Sequence, residues 1–481
     1  MMSNENLDTK RWLIAVAAII IQLCLGTVYA WSVFKGPLMS PATGQWFAIT
    51  QANVESIEKE CTKKKVVIAP EKLKSLDALM NNTKYSKDEL KGRLTELTFT
   101  EDEIKLVLGT LKRWSEPSTQ TTFMICIGMI GLAAAFGGTL MNMKGPRFVA
   151  TIGGILFGIG TLVAGYAAQS GSLLLLYIGF GFIGGLGNGF GYITPIATLI
   201  KWFPDKRGLV TGLAVMGFGM GAFFMGKIAP DMINSMGMAN TFYIWGAIFL
   251  VLVTASAQLF KNPPAGWLPS GFTPSAAKGT SAADSFTFNE AFKTPQWFML
   301  WGMLFLNVSA GLGLLSQLSP MAQELLKKTV TDEKALAVAG GSIVAIASIF
   351  NGLGRLFWAW LSDAIGRKNV FIIMFISQAI LYVILPQISS TVLFTIIACY
   401  LLACYGGGFA TMPAFAADGF GPANIAKIYG IMLTAWGVAG VVGPMVFAHP
   451  SLKPIALYVA AGLLVVGLLD ALIYKKPEKA K

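Results

Sequence analysis

Histidine is almost missing from this chain: 481 residues hold one, His449. No Cys/His metal cluster can be drawn from that, and no nucleophile–base pair is visible, so neither a metal centre nor an enzyme is expected. Cysteine is sparse too. Four of the five (Cys24, Cys126, Cys399 and Cys404) lie in apolar runs, where a free thiol behaves as a small hydrophobe. Cys61 alone sits in a polar segment, which argues against a disulfide framework. Charge is the third shortage. Asp, Glu, Lys and Arg make up 13% of the residues, against roughly 25% in a soluble domain. The spans described below lack Asp and Glu in their central parts.

What fills the chain instead is apolar: 54% hydrophobic residues, with 53 Gly and 32 Phe. This composition is that of a polytopic membrane protein. Twelve apolar runs are long enough to cross a bilayer, which takes roughly 20 residues each. They fall near 12–34, 118–140, 147–169, 172–197, 209–230, 239–260, 296–316, 336–360, 369–388, 391–414, 428–448 and 453–474. The first follows Lys10-Arg11 and lacks a small-residue cleavage site, so it reads as a retained helix. The net charge of +12 sits in short clusters between runs, as the positive-inside rule expects, and not in a nucleic-acid-binding face. Those clusters favour both termini in the cytoplasm of a multi-pass cell-membrane protein.

Two segments interrupt the runs. Residues 261–295, rich in Pro, Gly, Ser, Ala and Thr, read as a cytoplasmic linker between six-helix halves at 1–260 and 296–481. Residues 41–117 are a charged insertion on the outer side, with the capping-box spacings Ser86…Glu89 and Thr100…Glu103, so a small helical cap is expected there. The halves echo one another. "GFGFIGGLGNGFGYITP" in the fourth run and "CYGGGFATMP" in the tenth are glycine-dense at matching places. Such pairs point to close helix packing and to a transport site at the interface of two repeats. The glycine spacing of the first also imitates a dinucleotide motif, but it lies inside an apolar run with no βαβ unit, so no cofactor is expected.

The loops after the second and eighth runs match as well: "GTLMNMKGPR" and "AWLSDAIGRK". Both resemble the cytoplasmic loop signature of the major facilitator superfamily, which implies an all-α membrane fold of twelve transmembrane helices. It also implies a conformational latch. The residues on that pattern are Asn142, Gly145 and Arg147 in the first copy, and Asp363, Gly366 and Arg367 in the second. Asn142 replaces the acid of the first copy, and Ala359 replaces a glycine of the second. "RWLIAVAAIIIQLCLGTVYAWSVF", "KWFPDKRGLVTGLAVMGFGMG", "KTPQWFMLW" and "FNGLGRLFWAWLSDAIGR" are similar to the oxalate/formate antiporter family, which is related to monocarboxylate transporters. That resemblance implies a substrate carboxylate held between the halves by Arg355, with Tyr29, Tyr192, Tyr405 and Phe409 around it. Phe218 and Trp436 depart from it, standing where the family's oxalate-carrying members place a tyrosine and a second cation, a lysine.

Arg355 can also be weighed without the resemblance. It is the one basic residue near the middle of a run, where arginine costs roughly 2.5–3.5 kcal/mol on insertion scales. The plain reading is a structural arginine paired with a buried acid, yet no central acid exists to pair with it. The remaining partner is a mobile anion, which guanidinium grips as a fork. Asn351 lies one turn earlier on the same face and is placed to hydrogen-bond the anion or brace the arginine. Lys35 and Lys227, near outer helix ends, are expected to snorkel to water. The expected function is alternating-access transport of a small monocarboxylate by a monomer in the lipid bilayer, with exchange preferred. The alternatives are a dicarboxylate exchanger, a proton-coupled symporter and a non-transporting sensor.

Overall fold

Glycine and proline set where the apolar runs turn. The computed structural model describes all residues except 1–3, 40–48, 50, 65–66, 81–84, 86, 112–113, 204–206, 265–266, 268, 270–284, 422–424 and 479–481. Among the described residues, eleven helices are long and apolar enough to cross a membrane. One of them, 46 residues over Gly212–Ala257, would be about 69 Å long as a single rod, over twice the thickness of a hydrocarbon core. It is two spans. Gly237 breaks it with φ +82° and ψ 166°, a conformation essentially confined to glycine. Twelve spans result.

Span 1 joins a helix, Asn4–Gly26, to a second, Trp31–Met39, through a 3-10 turn. Spans 2 and 3 are Glu116–Lys144 and Pro146–Ser170. Span 4 runs from Leu173 to Trp202 and contains a π-helical stretch, Tyr177–Gly184. Spans 5 and 6 are the two parts of Arg207–Ala257. Spans 7 to 10 are Pro295–Leu326, Glu333–Ile365, Arg367–Ile384 and Thr391–Phe420. Span 11 comprises Ile425–Met432 and Thr434–Ala448, and span 12 is Ala456–Ile473. One end of the bundle carries the insertion and the other carries the linker; they are called the insertion side and the linker side.

Glycines let the halves meet closely. Across span 2 and span 11, a Cβ on Gly131 would come within 2.8 Å of the Gly437 backbone. Across span 5 and span 8, one on Gly226 would meet the Gly341 carbonyl at 2.6 Å. Small residues of this kind bring membrane helices into backbone contact, where dispersion and close packing hold them. On the insertion side, the Trp31–Met39 part of span 1 packs against span 7. The Asn4–Gly26 part packs on spans 4 and 5 of its own half.

The insertion has a core of its own. Its helices Gln51–Lys64, Pro70–Ser75, Lys87–Glu96 and Glu101–Thr110, with the 3-10 turn Leu76–Leu79, bury Ile57, Leu76, Leu90, Leu94 and Val107 among themselves. The Thr100 capping box forms: Thr100 N–H donates to Glu103 Oε2 at 2.7 Å, and Glu103 N–H to Thr100 Oγ1 at 3.3 Å. The other expected cap residue, Ser86, lies outside the described residues. Cys61 is buried in this core despite its polar neighbours, and burial pushes its thiol pKa up. The insertion stops earlier than residue 117. Ser115 Oγ accepts the Ser118 N–H, and span 2 starts at Glu116. The linker is not irregular to its end: Thr287 caps a short helix, Phe288–Phe292, and Phe286 N–H donates to the Phe420 carbonyl at 2.9 Å.

Candidate substrate site

Span 8 starts on a firm cap, with Asp332 accepting the Ala335 N–H at 2.8 Å. Arg355 lies ten residues before its other end, Ile365, or about 15 Å along the axis. That distance is about half the thickness of a hydrocarbon core. The side chain is 1% exposed. Two glycines make room for it. A Cβ on Gly219 of span 5 would stand 3.0 Å from Arg355 Nε, and one on Gly406 of span 10 would stand 3.0 Å from its Cγ. The arginine is thus held at the seam between the halves by the absence of side chains on both sides. The sequence reading singled out neither glycine. Their signal was the glycine density already noted in the tenth run, and its analogue in the fifth.

The guanidinium faces an aromatic cage. Its Cζ lies 5.4 Å from the Phe409 ring centroid, within cation–π range. Tyr29 meets Tyr405 at 5.7 Å and Phe218 at 5.1 Å between centroids. Tyr192 meets Phe218 at 4.9 Å and Trp436 at 5.1 Å, and Phe409 meets Trp436 at 5.2 Å. Tyr405 donates its O–H to Tyr29 Oη at 2.6 Å, tying span 10 to span 1. The guanidinium lies near the hydroxyls of Tyr29, Tyr192, Tyr405 and Tyr429 and hydrogen-bonds those of Tyr29 and Tyr192. Tyr429, on span 11, is a further hydroxyl that the sequence reading did not single out.

Hydrogen bonding around the arginine is incomplete. Its Nε and Nη1 are buried without a partner, and so are both amide atoms of Asn351 and the indole Nε1 of Trp436. Buried donors of a charged group left unpaired cost on the order of 1–3 kcal/mol or more each, so such a cluster is not a packing outcome to be expected without a reason. Among the described residues no carboxylate forms an ion pair with Arg355. Asn351 does not brace the arginine: the two share a helix face, but the amide bonds nothing. Chemically, the seam offers a fixed cation with unbonded N–H donors at Nε and Nη1, neutral polar groups and aromatic walls. That set suits a small anion with an apolar flank.

The residues of the two repeated loop signatures sit on the linker side. Gly145 and Gly366 both adopt positive φ, +83° and +91°, and each joins two spans at a sharp corner. Arg367 bonds Asp363 and Ser362 on span 8, and its Nε reaches Asp418 of span 10 at 3.3 Å. In the first copy Arg147 is exposed, and the Asn142 side chain lies outside the described residues. Lys227 reaches Ser342 at 3.2 Å near the surface, and His449 ends span 11, its Nδ1 accepting the Ser451 N–H at 3.3 Å. The snorkelling expected of Lys35 does not occur. It is 2% exposed and ion-paired with Glu116 at 2.9 Å, because span 7 covers it.

Twelve apolar spans, paired glycine corners and a buried arginine with no acidic partner among the described residues define a multi-pass membrane transporter. A sequence model of the Major Facilitator Superfamily matches residues 88–479, and the chain belongs to that family. It is similar to YhjX, an MFS-type transporter of Escherichia coli, with 26% identity over 446 residues, covering 92% of this chain and 88% of the relative. It is 28% identical over 332 residues to the oxalate:formate antiporter of Oxalobacter formigenes, covering 68% and 74%. Human monocarboxylate transporter 14 shares 24% over 447 residues, covering 77% and 86%.

Proposed function

We propose that the protein carries small carboxylate anions, preferentially monocarboxylates of formate, lactate or pyruvate size, and exchanges one for another by alternating access. The observation that carries this reading is the uncompensated charge: Arg355 is buried deep in span 8, no carboxylate among the described residues pairs with it, and its Nε and Nη1 are unbonded. A carboxylate entering there supplies the missing counter-charge and an acceptor for free guanidinium N–H donors. One cation balances one negative charge. Trp436 stands where a second cation would have held the far end of a dianion, so oxalate is expected to be the poorer substrate. Relatives named for oxalate:formate antiport and for monocarboxylate transport lend the substrate class support.

Exchange follows from electrostatics. An empty carrier moves an uncompensated charge through a low-dielectric seam, whereas a loaded one moves a neutral pair. In this reading Asn351, Tyr29, Tyr192, Tyr405, Phe409 and Trp436 line the bound anion. Residues 1–260 and 296–481 rock as two halves about the 261–295 linker. Asn142, Gly145, Arg147, Asp363, Gly366 and Arg367 act as the linker-side latch. The protein is a monomer in a cell membrane with both termini in the cytoplasm. Counterflow in vesicles containing the purified protein tests this. Internal lactate or pyruvate should drive uptake of labelled external substrate without a proton gradient, and oxalate should drive it less. Uptake that requires an imposed proton gradient would favour symport, and binding without accumulation would favour a sensor.

A further inference from the structure

A second polar cluster lies above the aromatic cage, on the insertion side. Glu116, the first residue of span 2, uses both carboxylate oxygens. Lys35 of span 1 donates to Oε1 at 2.9 Å, and so does Gln317 Nε2 of span 7 at 2.9 Å. Lys453, just before span 12, donates to Oε2 at 2.6 Å. Lys35 also donates to Gln317 Oε1, and Gln317 Nε2 reaches the Phe447 carbonyl of span 11 at 3.3 Å. Lys35 and Glu116 belong to the first half, whereas Gln317, Phe447 and Lys453 belong to the second. Lys35 is six residues beyond Tyr29, so the cluster lies about one and a half helical turns, on the order of 9 Å, above the cage.

We infer that Glu116, Lys35, Gln317 and Lys453 form a gate that closes the insertion side and must part whenever Arg355 faces that side. This rests on the alternating-access reading above. The distribution of charge supports a gate over a fixed strut. A buried ion pair is costly to break when one charge is left stranded. Here the parting line strands none. Lys35 keeps Glu116, because both travel with the first half. Lys453 is already 52% exposed and hydrates readily. The buried group that leaves is Gln317, which is neutral. The cluster therefore holds the halves together by several hydrogen bonds yet separates into a neutral Lys35–Glu116 pair and a second-half lysine that water can solvate.

The gate is also wired to the insertion. Span 1 ends at Met39, four residues after Lys35, and Ser115, the last residue of the insertion, directly precedes Glu116. Both first-half members of the gate thus sit at the roots of the insertion, so any load on the insertion bears on them first.

Distances between the halves test the gate independently of transport. Spin labels at exposed Met236 and Lys328 report the insertion side, and labels at exposed Lys144 and Asn369 report the linker side. All five native cysteines are buried, which keeps labelling selective. Glu116→Gln should shift the insertion-side distribution to longer distances and leave no such lengthening on the linker side. Gln317→Ala, which spares the Lys35–Glu116 pair, should do the same to a smaller degree, and it decides the matter should Glu116→Gln fail to fold. Insertion-side distances unchanged in the folded variants would overturn the gate. They would leave substrate exchange, measured by counterflow, to stand or fall separately.

Discussion

At the scale of single residues, buried polar groups that lack partners set what the seam can hold. Arg355→Gln keeps a hydrogen-bonding side chain and removes the charge. Losing one member of a desolvated charge pair costs about 2–4 kcal/mol, so substrate affinity should fall roughly 30- to 700-fold. The same substitution removes an unpaired buried charge from the empty protein, so its thermal stability should rise, not fall. A denaturation scan without substrate reads that sign directly. Trp436→Lys places a second cation against Tyr192 and Phe409, and it should improve oxalate as a counterflow substrate relative to lactate. No gain for oxalate would mean that this side chain does not meet the far end of the substrate. Arg355 was legible in the sequence because a cation deep in an apolar run is costly wherever it is placed. Lys35 was not. A lysine at the end of an apolar run looks like one that reaches water, and its partners lie 81 and 282 residues away in the chain. Glu116 was further disguised, since its polar neighbours made it look like the tail of the insertion.

At the scale of helices, glycines decide how near the spans come. A Cβ on Gly406 would lie 2.2 Å from the Asn351 carbonyl, a backbone atom that cannot swing aside. Gly406→Ala should therefore push span 10 from span 8, cost on the order of 1–3 kcal/mol of stability and impair exchange. Gly462→Ala, which meets nothing within 4 Å, is the matched control and should be silent in both assays. The periodic apolar runs revealed all twelve spans. They left the edges vague: span 7 continues to Leu326, ten residues past its expected end, because polar residues such as Gln317 and Ser319 are buried against neighbouring spans. In the insertion, burial alone would raise the Glu103 carboxyl. The Lys72 ammonium and the Thr100 N–H and hydroxyl outweigh it and hold its pKa below the usual 4.5. A carboxyl depressed on folding stabilises the fold fully above its ordinary pKa, and that stabilisation is lost as pH falls through the depressed value. Amide exchange across 101–110, corrected for intrinsic rates, should therefore quicken at acid pH in the natural protein. In Glu103→Gln it should be faster at neutral pH and lose this acid dependence.

At the scale of the molecule, two clusters stacked along one seam divide the work. The upper one keeps its buried lysine paired with Glu116 and its other lysine near water, and so can open and close empty. The lower one carries an uncompensated cation and so is complete only when an anion is present. Sequence made the lower cluster visible through its cost, while the upper one exists only after four distant segments converge. The central claim is that Arg355 waits for a carboxylate, and anion-dependent thermal stabilisation of the purified protein tests it most directly. A ligand that binds the folded state raises its stability by RT ln(1 + [L]/Kd), about 2.7 kcal/mol at a hundredfold excess over Kd. Lactate or pyruvate should raise the melting temperature of the natural protein in a saturable way and leave folded Arg355→Gln unmoved. Equal stabilisation of both proteins would contradict the account.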